Sequence, residues 1–395
     1  MKHLKSFLAS IALLMLGLPA TAQDIKVGLI ISKTGPTDIY AKQVEAGINL
    51  GFEYMTSGTM VLDGRKIVVL VKDDQGKPDL AKSLLEKAYY DDNVDIATGG
   101  TSSAVALAML SVAEEAKKVL IVDPAVADSI TGEKWNRYIF RTSRNSTMDA
   151  LTWAKVLGTG DVSVATLAQD YAFGRDGVAA LKDAIAAVKS PAKVVFEEYA
   201  PINTTDFTAP MQRIFDALKD KPGRKVLLVN WAGQSPVPKI MDLKPERFGI
   251  ELTTPGYQLA ALPPFKKFPG IQGPIHYYYK FPKNAMNDWL VTEHQKRFGS
   301  PPDLFTGDGM FIASAIVTAI KKAGGTDTEK LIAALEGLEF DSPKGKIVIR
   351  KEDHQALMSM YQWKVKADPK DDFDILELVK EFSVDELPLP IRNRR

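Results

Sequence analysis

The chain has 395 residues, with 50 Lys and Arg against 49 Asp and Glu, 45% hydrophobic residues and no cysteine. A nearly neutral charge without a basic excess excludes a surface built to bind nucleic acid. Without cysteine the fold depends on its hydrophobic core and not on disulfides, and the chain is long enough to form two such cores.

Residues 1–22 have the pattern of a secretory signal peptide. Lys2 and Lys5 precede an apolar run at residues 7–18, and the segment ends on Ala20-Thr-Ala22. The run is shorter than the roughly 20 residues that span a membrane, so we predict cleavage after Ala22 and no membrane anchor. The exported chain would keep 48 basic and 49 acidic side chains, which favours a soluble periplasmic protein.

Strands and helices alternate through residues 24–122. The predicted strands are 24–31, 66–71, 95–98 and 119–122. Apolar residues at helical spacing separate them, as Val44, Ile48 and Phe52 do after the first strand. The β-branched run 66–71 indicates a parallel strand that is buried on both faces. Repeated strand–helix units of this length predict a parallel sheet with helices on both sides.

The same alternation begins again after Arg144. The predicted strands of this half are 162–167, 193–199 and 225–230, with helices near 178–188 and 207–218. Two such sheets do not share one core, so the predicted fold class is α/β with two doubly wound parallel-sheet lobes. Ligands of open parallel sheets bind at the loops after the carboxyl ends of strands. Two facing lobes therefore place two sets of these loops across one cleft.

Several short motifs occur in a characteristic order along the chain. They are Ser32-Lys-Thr-Gly-Pro36, Asp73-Asp74, Gly99-Gly-Thr-Ser-Ser103, Asp123-Pro-Ala125, Phe140-Arg-Thr142 and Asp170-Tyr-Ala-Phe-Gly174. In this order the sequence resembles the leucine/isoleucine/valine-binding protein family, the periplasmic components of ABC importers with the type I binding-protein fold. The resemblance implies three crossings between the lobes, near Arg144, Gly273 and Ile349. Lobe one would hold residues 24–144 and 274–348, and lobe two residues 145–273 and 349–395.

The loop that ends at Ser103 has the chemistry of a carboxylate site. It precedes a predicted helix, whose first N–H groups are unsatisfied and carry the positive end of the helix dipole. The hydroxyls of Thr101, Ser102 and Ser103 add neutral donors, although Ser102 or Ser103 is expected to cap the helix. The resemblance implies that this loop and the next one, Ala125-Val126-Ala127, hold the ligand's carboxylate. The second loop offers only backbone groups and apolar contact.

Lobe two contributes aromatic and amide side chains at three predicted strand ends. They are Tyr171, Phe173, Asn230, Trp231, Tyr257 and Gln258. Relatives that bind α-amino acids place an acidic residue in lobe two against the ligand's ammonium, but residues 254–258 contain none. Asp308 could replace it, although we expect Asp308 to cap a helix. Because an unpaired ammonium is costly to bury, the predicted ligand is an aromatic acid of the benzoate or hydroxycinnamate type, with a branched-chain amino acid as the alternative.

No motif in the chain indicates catalysis. The sequence has no nucleophile elbow, no phosphate-binding loop and no dinucleotide fingerprint, and His276, His294 and His354 lack metal-ligand spacing. We therefore predict a monomeric transport receptor without metal or cofactor, which delivers its ligand to an inner-membrane ABC permease. The alternative is a periplasmic sensor subunit, whose partner would be a signalling protein. In either case lobe one takes the carboxylate and lobe two closes over the ligand.

Overall fold

The computed structural model describes residues 23–158 and 160–393, so the predicted signal peptide lies outside the described residues. The helices are α1 Asp38–Met55, α2 Pro78–Tyr90, α3 Ser103–Ala116, α4 Ser146–Val156, α5 Ala172–Ala187, α6 Thr208–Leu218, α7 Val237–Asp242, α8 Ala285–Phe298, α9 Leu304–Ala323 and α10 Thr328–Leu335. The strands are β1 Ile25–Ile31, β2 Val61–Leu62, β3 Arg65–Asp73, β4 Ile96–Gly99, β5 Leu120–Val122, β6 Ile139–Arg141, β7 Val162–Gln169, β8 Lys193–Ala200, β9 Arg224–Asn230, β10 Ile250–Thr253, β11 Gln272–Ile275, β12 Glu339–Ser342, β13 Gly345–Ile349, β14 Ala356–Leu357, β15 Met360–Val365 and β16 Leu376–Phe382. Short 3-10 helices lie at Asp128–Ile130, Pro245–Phe248, Leu259–Ala261 and Pro263–Lys267.

The first sheet has the strand order β2-β3-β1-β4-β5-β6 and is parallel apart from the short β2–β3 hairpin. Its central strand β1 is almost completely buried, as expected for a parallel strand with helices on both faces. The prediction that residues 66–71 are buried on both faces is wrong, because only Ile67 is fully buried, whereas Lys66 is exposed and residues 68–71 are partly buried. Strand β3 is less buried than predicted because it lies next to the edge strand β2.

The second sheet has the order β16-β15-β11-β10-β9-β7-β8. Strands β7 to β11 pair in parallel, whereas β15 and β16 add an antiparallel edge. Two sheets dominated by parallel pairing, each with its own helices, confirm the predicted α/β fold class. We call the part of the chain with the first sheet lobe one and the part with the second sheet lobe two.

The chain passes between the lobes where its strands change sheet. It leaves the first sheet after β6 and enters the second with β7, and the helix between them, α4, packs against β11 and β15 of lobe two. It leaves again after β11, which ends at Ile275. The small antiparallel sheet β12-β13-β14 packs on α9 of lobe one. The final crossing therefore falls at residues 358–359, later than the neighbourhood of Ile349 that the resemblance implies.

Lobe one is held together by an unusually close contact between α1 and α9. Gly47 of α1 lies so near α9 that a Cβ atom there would stand 2.1 Å from the carbonyl oxygen of Thr306. From the other side, a Cβ on Gly309 would stand 2.4 Å from the carbonyl oxygen of Val44. The two helices thus touch backbone to backbone, and glycine is the residue that permits it. The apolar helix α9 is buried almost along its whole length.

Gly47→Ala tests this contact. A methyl group at this position has no room without moving a backbone, and overpacking of this kind costs about 1–3 kcal/mol. We expect the free energy of unfolding to fall by about that amount, although alanine favours a helix by about 1 kcal/mol over glycine. Urea denaturation measures the change. Asn49→Ala, on the exposed face of the same helix, is the control and should be neutral or slightly stabilising; equal stability of Gly47→Ala and Asn49→Ala would contradict the close contact.

Candidate ligand-binding site

The loop between β4 and α3 presents three hydroxyl groups, each of which already accepts one backbone N–H. Thr101 Oγ1 accepts the N–H of Ser32 at 3.0 Å, and Ser103 Oγ accepts the N–H of Ala127 at 3.1 Å. Ser102 Oγ caps α3 by accepting a first-turn N–H at 3.3 Å, which confirms the predicted cap. None of the three O–H groups has an acceptor among the described residues. Each hydroxyl is therefore oriented by the fold and keeps its proton for another partner.

The next loop is fixed by its carbonyl groups. Arg141 donates to the carbonyl oxygens of Ala125 (3.4 Å) and Ala127 (2.9 Å). Ser146 donates its N–H to the carbonyl oxygen of Val126 at 2.8 Å. The backbone N–H groups of Ala125 and Val126 have no acceptor in the described part of the chain. The second loop therefore offers N–H donors, while its carbonyl oxygens are engaged within the protein.

Lobe two faces these loops with aromatic side chains. Tyr171 and Phe173 lie at the start of α5, with their ring centroids 5.9 Å apart. Trp231, just after β9, is buried and packs edge-on against Phe207 with a centroid distance of 5.3 Å. Tyr257 lies in the segment that follows β10 and is buried. Together these rings form an apolar wall opposite the donors of lobe one.

Two hydrogen bonds join the lobes directly at the edge of the cleft. The N–H of Gly233 donates to Tyr40 Oη at 2.5 Å, and the N–H of Leu259 donates to Asp303 Oδ2 at 2.9 Å. Asp303 also caps α9 with its other carboxylate oxygen. Burial raises the pKa of Asp303 to about 7. The lobes are thus closed on each other.

Between the lobes lies a cavity with about 570 Å³ of space free of protein atoms, part of which is open to solvent. Its wall consists of Thr37, Tyr40, Thr101, Ser102, Ser103, Pro124, Ala125, Val126, Arg144, Tyr171, Phe173, Trp231, Ala232, Pro255, Gly256, Tyr257, Gln258, Leu304 and Phe305. Ten of the twelve predicted site residues line this cavity. The other two do not line it. Ala127, the last residue of the second loop, is fully buried, and Asn230 is buried beside Gly177 of α5. That the ten bind a ligand stays a prediction.

Helices α1 and α9 and the first crossing bring to the cavity residues that the sequence pattern does not predict. Tyr40 and Phe305 are in contact there, with their ring centroids 4.3 Å apart and their planes tilted by 42°. Thr37 comes directly after the Ser32–Pro36 turn, so the rule that ligands bind after strand ends could have found it. The wall contains one charged side chain, Arg144, and no carboxylate.

Arg144 is almost completely buried, with 8% of its surface exposed. Its Nε donates to both carboxylate oxygens of Asp149, at 2.9 and 3.1 Å. Nη1 is buried and has no hydrogen-bond acceptor among the described residues. The ion pair with Asp149 therefore uses one edge of the guanidinium and leaves the other edge unpaired.

Behind Arg144 lies a buried group of titratable side chains at the crossings, which we call the hinge cluster: Asp123, His276 and Asp308. His276 Nε2 hydrogen-bonds Asp308 Oδ1 at 2.8 Å, and Thr142 donates to Asp123 Oδ2 at 2.7 Å. Burial raises the pKa of Asp308 to about 7 and raises that of Asp123 as well, helped by the nearby charge of Asp308. Burial lowers the pKa of His276. Burial thus favours the uncharged forms of all three groups.

The predicted capping role of Asp308 is wrong. The cap of α9 is Asp303, which forms a capping box with Thr306. The helix therefore begins one turn earlier than the sequence pattern indicates, and Asp308 lies within it, outside the cavity wall. The described residues contain no group of three or more His, Cys, Asp or Glu side chains that could hold a metal ion.

Comparisons with known proteins agree with this architecture. Residues 24–371 match the family described as periplasmic binding protein. The chain belongs to this family. The periplasmic binding proteins are substrate-binding components of ABC transporters, and membership implies a periplasmic location. It also implies that the protein binds a small molecule and interacts with a permease.

Individual relatives carry different ligand names. This periplasmic binding protein is 28% identical to Leu/Ile/Val-binding protein homolog 6 of Brucella abortus (strain 2308), over 92% of this chain and 94% of the relative. A solved structure of an ABC-type branched-chain amino acid transporter from Rhodopseudomonas palustris CGA009 is 61% identical, with a TM-score of 0.84 and coverage of 94% and 100%. A solute-binding protein from Rhodopseudomonas palustris BisB5 in complex with 3,4-dihydroxybenzoic acid is 30% identical, with a TM-score of 0.77 and coverage of 92% and 98%.

Asp308→Asn tests the protonation of the hinge cluster. The folded chain holds this proton with a pKa of about 7, whereas the ordinary value is 3.8. The stability that protonation contributes is therefore fully present below about pH 4 and is lost as the pH rises through about 7. We expect the urea midpoint of the unsubstituted protein to decline over this interval more steeply than that of Asp308→Asn.

The control for this experiment is Asp63→Asn, an exposed position, which should keep the pH slope of the unsubstituted protein. Parallel curves for Asp308→Asn and the unsubstituted protein would contradict a protonated Asp308.

Proposed function

We propose that the protein is the solute-binding component of an ABC importer that captures a small aromatic carboxylate in the cavity between its lobes. The observation that carries this proposal is the charge of the wall. It holds one cation, Arg144, and no carboxylate. A carboxylate gains donors there, whereas an α-ammonium group finds no counter-ion and loses its water.

The distribution of polarity across the cavity supports the same ligand. The two lobe-one loops leave hydroxyl and backbone N–H donors unpaired, as an anion requires. On the other side, the rings of Trp231 and Tyr257 line the cavity and offer apolar contact to a ring. The relative that binds 3,4-dihydroxybenzoic acid is in accord with this arrangement.

The second candidate ligand is a branched-chain amino acid. It is favoured by the names of the Brucella abortus relative and of the 61% identical structure. The acidic residue that would receive the ammonium is missing from residues 254–258, where the wall carries Pro255, Gly256, Tyr257 and Gln258 instead. For this reason we place the aromatic acid first.

The proposal includes export and delivery. We infer that a signal peptide is removed after Ala22 and that the exported chain works as a monomer, binding without catalysing a reaction. Ligand closes the lobes, and the closed form docks on a permease of the inner membrane. A sensor subunit would use the same cavity but pass the signal to a receptor protein.

A thermal-shift screen separates the ligand candidates. Benzoate, 4-hydroxybenzoate and 4-hydroxycinnamate are compared with leucine, isoleucine and valine on the exported chain. A ligand at about 100 times its Kd adds ~2.7 kcal/mol to the stability of the folded state, so binders stand out clearly. We expect stabilisation by aromatic acids; stabilisation by the amino acids alone would refute the aromatic-acid proposal.

Trp231→Ala tests the aromatic wall. Truncation of a buried aromatic contact commonly costs about 2 kcal/mol or more of binding free energy, which corresponds to a Kd about 30-fold higher. Isothermal titration calorimetry with the best acid from the screen measures this change. Phe207→Ala is the matched control, because Phe207 packs on Trp231 but does not line the cavity. Equal losses in both variants would indicate general damage to lobe two and contradict a direct contact.

A further inference from the structure

The unpaired edge of Arg144 is the strongest polar feature of the molecule that the fold does not explain. A guanidinium is a planar cation with five N–H donors. Asp149 takes only Nε, and Nη1 is buried without an acceptor among the described residues. Leaving a buried charged donor unsatisfied is costly. An acceptor from outside the protein therefore has to complete this site.

The hinge cluster does not provide that acceptor. The remaining oxygens of Asp123 and Asp308 lie within hydrogen-bonding reach of each other, and neither is bonded to Arg144. The positive charge of Arg144 lowers the pKa of both carboxyls, but burial outweighs it and keeps both pKa values raised. Carboxyls whose uncharged forms are favoured by burial are poor counter-ions for a cation.

Arg144 stands at the anion-binding side of the cavity. Two residues further along the chain, Ser146 donates its N–H to the carbonyl oxygen of Val126. The neighbouring Ala127 in turn donates to Ser103 Oγ. Through these bonds the first crossing is attached to both donor loops, and Arg144 lines the same cavity as they do.

We infer that the free edge of the Arg144 guanidinium binds the anionic group of the ligand, and that it makes the protein select acids over their uncharged analogues. The inference rests on the proposed function, because it concerns the carboxylate of the same ligand. Asp149 has a positioning role: it holds Nε, fixes the plane of the guanidinium and balances its charge when the cavity is empty. Hydroxyl and backbone donors then orient the anion, and the cation supplies the preference for charge.

The test compares an acid with its amide. Calorimetry measures the Kd values of 4-hydroxybenzoate and 4-hydroxybenzamide for the unsubstituted protein and for Arg144→Gln/Asp149→Asn. The double substitution removes the ion pair as a unit and leaves no orphaned carboxylate. We expect the Kd of the acid to rise about 10- to 100-fold, the range of one charged hydrogen bond. The Kd of the amide should change by less than about threefold, because the amide carries no charge.

Two further variants keep the test decisive if the double variant is unstable. Asp149→Asn alone keeps the cation and an amide oxygen that can still accept from Nε, but it removes the competing negative charge, so this variant should bind the acid at least as tightly as the unsubstituted protein does. Arg144→Lys keeps the charge but loses the planar fork, so its acid affinity should fall between the two. A loss of acid and amide affinity by the same factor, or an unchanged acid-to-amide ratio in every variant, overturns the inference.

Leucine and leucinamide are titrated in parallel, so that failure of the ligand proposal is distinguished from failure of this one. If leucine binds and the aromatic acid does not, the proposed ligand is wrong, and the leucine-to-leucinamide ratio tests Arg144 instead. If the acids bind with affinities that do not depend on Arg144, the proposed function is kept and the inferred role of Arg144 in binding the anion is refuted. If none of the four compounds binds the unsubstituted protein, both are refuted.

Discussion

The backbone contact between α1 and α9 is the constraint on which the cavity depends. With glycines at 47 and 309, the two helices lie close enough for their N-termini to reach the cleft together. Tyr40 and Phe305 then contact each other in the cavity wall, and Asp303 comes within hydrogen-bond distance of lobe two. A pair of side chains between the helices would separate these groups. The geometry of the ligand site is therefore set by a packing contact outside it.

The polar part of the site follows a second pattern. Carbonyl oxygens of the second loop already accept hydrogen bonds from the protein, whereas several N–H and O–H donors stay unpaired. Arg141 and Ser146 donate to the carbonyl groups of the second loop, and the Thr101 and Ser103 hydroxyls each accept one backbone N–H. What faces the cavity is then a set of N–H and O–H groups beside one guanidinium. Such a surface attracts acceptors and repels cations without any flexible lysine, and little ordering is needed when an anion arrives.

The sequence is enough to predict those parts of the structure that depend on local patterns of residues. Strand–helix alternation predicts both sheets, and the rule that parallel sheets bind ligands after strand ends locates most of the cavity wall. This rule does not identify Phe305 and Tyr40 as wall residues, because their position depends on two helices that are distant in the sequence. The sequence places Arg144 at a crossing, but nothing local tells whether a crossing residue turns into the cleft. The capping role fails for Asp308 because the acidic residue that caps α9, Asp303, lies one turn earlier.

The hydrogen bonds from Gly233 to Tyr40 and from Leu259 to Asp303 have a consequence for transport. Both join protein to protein, so they stabilise the closed form whether or not the cavity is filled. A net gain of about 0.5–1.5 kcal/mol for each bond raises the population of empty closed receptor at equilibrium, and ligand shifts that population only by its preference for one state over the other. Empty receptors in the closed shape compete with loaded ones for the permease. The efficiency of uptake then depends on how far ligand binding exceeds this built-in tendency to close.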